Sequence, residues 1–356
     1  MRKRSARRRR RINRRQFVVS AATQATGATL ASTVAVAYDE AGAGRPPASK
    51  PNSAEKPDRK ARPARLHILG SGCPAPMPDR YGSSFILEVG KDCLMVDCGP
   101  ATTYKMTKMG IPPGKVGHLF FTHHHFDHNV DFPCFALTRW DMSDGTGPPL
   151  KVYGPPPTRT FVERLLGEEG AFVDDWKSRI QHPVSQKIFV RRGGVLPRPA
   201  PALDVKDVGP GKIAESDSWV VTAARVHHVE PGLESLAYRF DTDQGSIVFA
   251  GDCGDCKSLR QLSQDAHTLV IGCVYIGYKK AYDGIITGTG DVAEIARASG
   301  VRRVILSHAA PGLGSGKRRK RAIADVARNY DGDVLFPDEL TTVSEVLADT
   351  TPQSIR

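Results

Sequence analysis

Short apolar runs broken by glycine, proline and polar clusters dominate the chain from Arg65 onward. Leu66-His67-Ile68-Leu69-Gly70 predicts a buried strand that enters a Gly/Pro turn. Ser84–Val89 and Cys93–Asp97 predict the next two strands, with Gly90-Lys91-Asp92 turning between them, and Val116–Thr122 predicts another. Helical spacing of apolar positions follows at Thr158–Leu166 and again at Asp291–Ala298. Strands and helices alternate to the end, the pattern of an α/β layered domain. No internal repeat is visible.

The first 64 residues follow a different rule. Residues 1–15 hold ten basic side chains and no acid, and residues 16–37 carry no charge. Of the formal net charge of +12, only +2 therefore remains from Tyr38 onward. A basic stretch, an apolar run rich in Ala, Thr and Val, and the small-residue end Ala35-Val36-Ala37 make the three-part layout of an export signal. The paired Arg14-Arg15 before Gln16-Phe17 is similar to the twin-arginine (Tat) type, which implies the Tat machinery as a partner, cleavage after Ala37, and a periplasmic or secreted product. Residues 38–64, with Pro46, Pro47, Pro51, Pro57 and Pro63 among Ala, Gly, Lys and Arg, read as a linker, and 65–356 as one catalytic domain. No later window reaches 18 consecutive apolar residues, so the mature chain is expected to have no membrane span. Without a bulk positive field, that domain is not expected to hold nucleic acid.

Chemistry concentrates in Phe120-Phe121-Thr122-His123-His124-His125-Phe126-Asp127-His128, an apolar strand ending in four imidazoles and a carboxylate. Neutral imidazole and carboxylate suit zinc or another borderline divalent metal. Three further donors end apolar runs. His228 follows Val220–Val226, Asp252 closes Ser246–Gly251, and His308 closes Val304–Ser307. Four strand ends delivering His and Asp donors are what a preformed dinuclear site requires.

His123-x-His125-x-Asp127-His128, then His228, Asp252 and His308 in that order, resemble the metallo-β-lactamase superfamily over about Leu66 to Phe336. Leu69-Gly70-Ser71-Gly72, Met95-Val96-Asp97-Cys98-Gly99, Val152-Tyr153-Gly154-Pro155-Pro156 and Ala293-Glu294-Ile295-Ala296 are similar to its ribonuclease Z-like branch. The resemblance implies an αββα four-layer sandwich with two divalent metal ions, zinc first among the candidates. His123, His125 and His228 would hold one metal, and Asp127, His128 and His308 the other, with Asp252 bridging. His227 stays open as an alternative to His228, while strand alternation turns His124 away from His123 and His125. Two cations sharing a hydroxide supply a nucleophile near neutral pH and neutralise charge on an anionic ester. Asp127 would both ligate and orient that hydroxide, and Asp97 and Asp131 are candidates, by position, for fixing imidazole tautomers. The branch often forms dimers, which leaves a homodimer as a further expectation.

The resemblance breaks at two places. Ribonuclease Z enzymes that process tRNA carry a His-Ser-Thr motif before the last helix, its His a candidate acid for the leaving group. Here Ile286 or Thr287 falls at that His, and neither donates a proton at neutral pH. Their Pro-x-Lys-x-Arg-Asn stretch reads Pro76-Met77-Pro78-Asp79-Arg80-Tyr81, closer to exported relatives that include metal-dependent arylsulfatases. The expected reaction is therefore cleavage of a small phosphodiester or similar anionic ester. Arylsulfatase, lactone or β-lactam hydrolase, tRNA 3′-endonuclease and non-catalytic metal binder follow in that order. Arg80 is a candidate contact for substrate or for a structural ion pair, and Tyr275, Tyr278, Lys279, Lys280 and Tyr282 are candidates to line the pocket. Lys317–Arg321 reads as the solvated face of a surface helix. Seven cysteines, with Cys253 and Cys256 in a C-x-x-C pair, leave the disulfide state open.

Overall fold

A computed structural model describes residues 63–344, 346 and 347. The export signal at 1–37, cleavage after Ala37, and all but the last two residues of the linker lie outside the described residues, as does the chain beyond 347. Two seven-stranded sheets organise the rest. The first takes β1 (Arg65–Gly70), β2 (Ser84–Val89), β3 (Asp92–Val96), β4 (Val116–Phe120), β5 (Leu150–Gly154) and β6 (Leu203–Asp207). The second takes β7 (Gly211–Glu215), β8 (Trp219–Val226), β9 (Ser235–Thr242), β10 (Gly245–Phe249), β11 (Thr268–Gly272), β12 (Arg303–Ser307) and β13 (Asp333–Leu335). β14 (Thr341–Ser344) returns to the first sheet, antiparallel to β1.

Alternation along each strand decides the layering, because successive side chains leave opposite faces of a sheet. Phe85, Leu87, Leu94, Val96 and Phe120 of the first sheet meet Val221, Phe240, Ile247, Phe249, Val270 and Ile305 of the second in one buried cluster. Their neighbours in sequence face outward. Ile86, Met95 and Leu119 pack on Met106 of α1 (Thr102–Lys108), Phe132 and Phe135 of α3 (Phe132–Asp141) and Val162 of α4 (Thr158–Leu166). Val248, Leu269, Val304 and Leu306 pack on Leu259 of α7 (Lys257–Leu262), Ile295 of α8 (Thr289–Ala298) and Val326 of α9 (Gly316–Ala327). The result is the four-layer αββα sandwich. Each fully buried Leu, Ile or Phe in it is worth about 1.5–3 kcal/mol relative to exposure. No helix among the described residues is long and apolar enough to cross a membrane.

Strand direction places the site. β3 to β6 are mutually parallel, as are β10 to β13, and β8 runs with β10 because β9 is antiparallel to both. The C-terminal ends of β4, β8, β10 and β12 therefore supply the loops that carry the predicted donors. Two strands stop earlier than expected, β4 at Phe120 and β10 at Phe249, and Gly251 turns the chain at φ 64° before Asp252.

Arg80 sews the loop after β1 to the C-terminal segment. It is 1% exposed and donates to Ser71 Oγ (2.6 Å), Gly314 O (3.0 Å), Pro337 O (3.0 Å) and Asp338 Oδ1 (2.9 Å). Beside it, Glu339 accepts from the backbone N–H groups of Ser71 and Tyr81 and pairs with Lys105. Of the two roles open to Arg80, substrate contact and structural ion pair, the structure shows the ion pair, with both terminal nitrogens spent on the fold. The basic run of α9 does lie on an exposed face, where, among the described residues, only Arg319 of the run reaches a carboxylate, that of Asp338. All seven cysteines are free thiols. Arg80→Met should cost about 3 kcal/mol of unfolding free energy, read by urea denaturation, because four acceptors lose a buried charged partner. Arg80→Lys should not restore it, since an ammonium cannot reproduce the planar fork.

Candidate metal centre

Thr122 fixes the loop that leaves β4. Its N–H donates to Asp97 Oδ1 (2.8 Å) and its hydroxyl to Asp97 Oδ2 (2.9 Å). Asp97 itself sits just past β3 at φ 59°, a left-handed conformation that turns its carboxylate under the loop. His125 then precedes α2 (Phe126–Asn129), a single turn on which Asp127 and His128 are both buried. His124 points away. Its Nε2 bonds Thr158 Oγ1 at 2.7 Å, and its ring packs on Phe161 at 5.1 Å.

The donors then converge in two groups. His123 Nε2 lies 3.0 Å from His125 Nδ1, which lies 3.3 Å from His228 Nε2. His228 Nδ1 donates to the carbonyl of Ile285 at 2.9 Å, which aims its other nitrogen into the group. His227 is exposed, whereas His228 is buried. In the second group His128 Nδ1 donates to Asp97 Oδ2 at 2.7 Å, turning Nε2 toward Asp127 Oδ2 (3.6 Å). His308, held at φ 49°, brings Nε2 to 3.3 Å from the same oxygen. Asp252 stands between the groups, 3.0 Å from His308, 3.4 Å from His128 and 3.9 Å from His228. One donor atom from each of His123, His125, His228 and Asp252 lies within 4.8 Å of the others, and the same holds for Asp127, His128 and His308.

Electrostatics shows what this cluster lacks. Burial pushes His123 well below the usual imidazole range, so it is neutral and has a lone pair to give. Burial also opposes charge on His128 and His308, yet the carboxylates of Asp252, Asp97 and Asp127 win, raising His128 well above its ordinary value and His308 to about 9. Asp252, despite burial, is held well below the carboxylate range by His308 and His128. Among the described residues, buried Asp127 Oδ1 and His128 Nε2 have no hydrogen-bond partner. Unpartnered buried polar atoms are costly, and inward-facing imidazole nitrogens beside carboxylates fit a bound divalent cation.

Asp97 has the supporting role its position suggested, and Asp131 does not. Asp131 accepts from the N–H and hydroxyl of Thr103, both at 2.6 Å, and so anchors α1 rather than an imidazole. Thr122 and the Ile285 carbonyl escaped the sequence reading. Thr122 lay inside the motif and could have been suspected, whereas nothing marked a backbone oxygen 57 residues from His228. The expected pocket tyrosines are mostly occupied. Tyr275 donates to Asp291 Oδ2 (2.9 Å), Tyr278 to Glu294 (3.3 Å), and Lys279 sits over the rings of Tyr275 and Tyr282. Thr287, one of the two residues at the place of the missing acid, is buried and donates to Gly272 O at 2.6 Å.

Two stacked sheets with a His/Asp cluster at one edge make the metallo-β-lactamase fold, and the sequence relatives support a metal-dependent hydrolase. In sequence the chain is similar to ribonuclease Z. A ribonuclease Z of Mycobacterium bovis (strain BCG / Pasteur 1173P2) is 28% identical over 288 residues, covering 78% of this chain and 97% of that protein. The fold is similar to the metallo-β-lactamase fold protein YhfI from Bacillus subtilis, with TM-score 0.59 and 16% identity over 79% of this chain and 99% of that one. It is likewise similar to the short form of human tRNase Z, with TM-score 0.55 and 18% identity over 79% and 98% of the two chains. A family profile described as anti-Pycsar protein Apyc1 matches residues 64–152, the part that contains His123 to His128.

Asp97→Asn should weaken metal retention about 10–100-fold in a chelator competition, by releasing His128 and Thr122 together. His228→Ala should lower metal content measured by elemental analysis, and His227→Ala should leave it unchanged.

Proposed function

We propose that the protein is an exported dinuclear metallohydrolase that cleaves a small phosphodiester. The observation that carries this is the pairing of a three-imidazole group with a group of one carboxylate and two imidazoles across Asp252. His123, His125 and His228 would hold one ion and Asp127, His128 and His308 the other, with Asp252 placed between the two groups. Zinc suits this donor set. Bound metals supply a water-derived nucleophile near neutral pH and offset the negative charge that builds on the attacked phosphate.

The side chains do the positioning. Asp127 points one oxygen toward His308 and leaves Oδ1 unpaired, free to accept from the attacking water and orient it. Asp97 keeps His128 Nε2 turned inward, and the Ile285 carbonyl does the same for His228. Phe126, Val229 and Ile285, neighbours in sequence or by contact of the donors, are exposed apolar residues. Such a rim favours a compact ester with an apolar group over a long polyanion. The ribonuclease Z relatives are named for action on RNA, but Ile286 or Thr287, neither able to donate a proton at neutral pH, falls where their candidate acid would stand, and the charge from Tyr38 onward is only +2. Export rests on the layout of residues 1–37.

Purified protein should hydrolyse a bis(aryl) phosphate in a chromogenic ester panel, lose the activity to a chelator, and regain it with zinc. Turnover of an aryl sulfate in place of the phosphodiester would make the protein an arylsulfatase instead. Asp127→Ala should reduce turnover to background, because it removes a ligand and the group orienting water; retention of most activity would place the chemistry elsewhere. For export, a reporter fused behind residues 1–40 should reach the periplasm or medium, and Arg14→Lys with Arg15→Lys should hold it inside.

A further inference from the structure

A cavity of about 480 Å³ opens at the end of the first sheet opposite the metal centre. It is walled by the starts of β3, β4, β5 and β6, whereas the donors lie past the far end of β4, a strand length of roughly 16 Å away. Its charge is unbalanced. Lys91, Lys115, Arg139 and Lys151 line it, against Asp92 and Asp144. Both carboxylates are already engaged by neutral donors: Asp92 accepts from the Trp219 indole at 2.8 Å, and Asp144 from the N–H and hydroxyl of Thr146. None of the four cations has an ion-pair partner among the described residues.

Arg139 is the informative one. Half-buried, it spends Nε on the Val116 carbonyl and one terminal nitrogen on the Pro148 carbonyl, both at 3.0 Å, and leaves the other terminal nitrogen unused. Burial lowers its pKa, and no carboxylate acts against that shift. The remaining wall is rigid and largely apolar. Trp140 is fixed by its bond to Pro199 O (2.9 Å) and by Arg198 stacked on its ring at 4.0 Å. His118 is held among Tyr153, Phe120 and Trp219, with Nδ1 buried and without a hydrogen-bond partner. Ligand cavities commonly combine this size, apolar walls and a few converging polar groups.

We propose that this cavity is a second binding site, separate from the metal centre, for a small molecule that carries a phosphate or phosphonate group on an apolar body. Arg139, Lys115 and Lys151 take the anionic group, and the Trp140 side of the cavity takes the body. An arginine fork suits a tetrahedral oxyanion.

Calorimetric titration of the metal-loaded protein with phenylphosphonate tests this, with inorganic phosphate and benzyl alcohol as probes carrying the charge or the ring alone. Binding should resolve into two classes, since the metal centre also attracts anions. One class should survive Asp127→Ala. That class should weaken about tenfold in Lys115→Gln/Lys151→Gln, through loss of two exposed charges, while ester turnover by this double variant stays unchanged. It should disappear in Arg139→Met; if that variant does not fold, the exposed lysine pair alone decides. Loss of all phenylphosphonate binding in Asp127→Ala, or a surviving class indifferent to both lysines, would overturn the site. Equal affinity for phosphate and phenylphosphonate would overturn the apolar half of the ligand.

Discussion

Asp97 is the constraint on which the site depends. Its carboxylate takes the backbone and hydroxyl of Thr122 on one side and the His128 imidazole on the other, all within 3.1 Å. One buried group thereby joins the end of β3, the loop after β4 and the single turn of α2. Without it, four histidines and an aspartate on a short loop would have many arrangements open to them. With it, His124 is left to Thr158 and the others turn inward. The left-handed backbone at Asp97 costs about 1–3 kcal/mol, and the surrounding hydrogen bonds hold it in place.

The cluster so assembled is suited to a bound cation. Its carboxylates call for positive charge, its His123 is too buried to supply any, and two polar atoms have no partner. A cation resolves all three conditions. A second network, around Arg80 and Glu339, answers a different need: it closes the sandwich by tying the loop after β1 to the segment between β13 and β14. Charge is used locally in both places, in keeping with a domain whose overall balance is nearly neutral.

The alternation of apolar positions made β2 and α4 legible to the residue, and β1, β3 and β4 to within two, because each buries one or both faces against a fixed partner. The His and Asp side chains that converge were legible because such a spaced pattern has few other uses. Asp131 and Arg80 were not. An aspartate near the motif serves either an imidazole or a helix end, and an arginine in a loop serves either substrate or scaffold; only the fold says which. Helices α5 (Val173–Gln181) and α6 (Pro183–Arg191) went unpredicted, each burying just one residue, Trp176 and Phe189.

What the sequence by itself determined is the inventory: the alternation of strands and helices, the spaced His and Asp side chains and the uneven distribution of charge between the first 15 residues and the rest. These are local or periodic properties, and composition and spacing carry them. The tertiary structure decided everything that depends on residues distant in the chain. It chose His228 over His227 for the cluster, spent Arg80 on the scaffold, gave Ile285 a bond to an imidazole, and gathered Lys91, Arg139 and Pro199 around one cavity. Such choices turn on angstrom-scale distances between segments, which the order of residues does not carry.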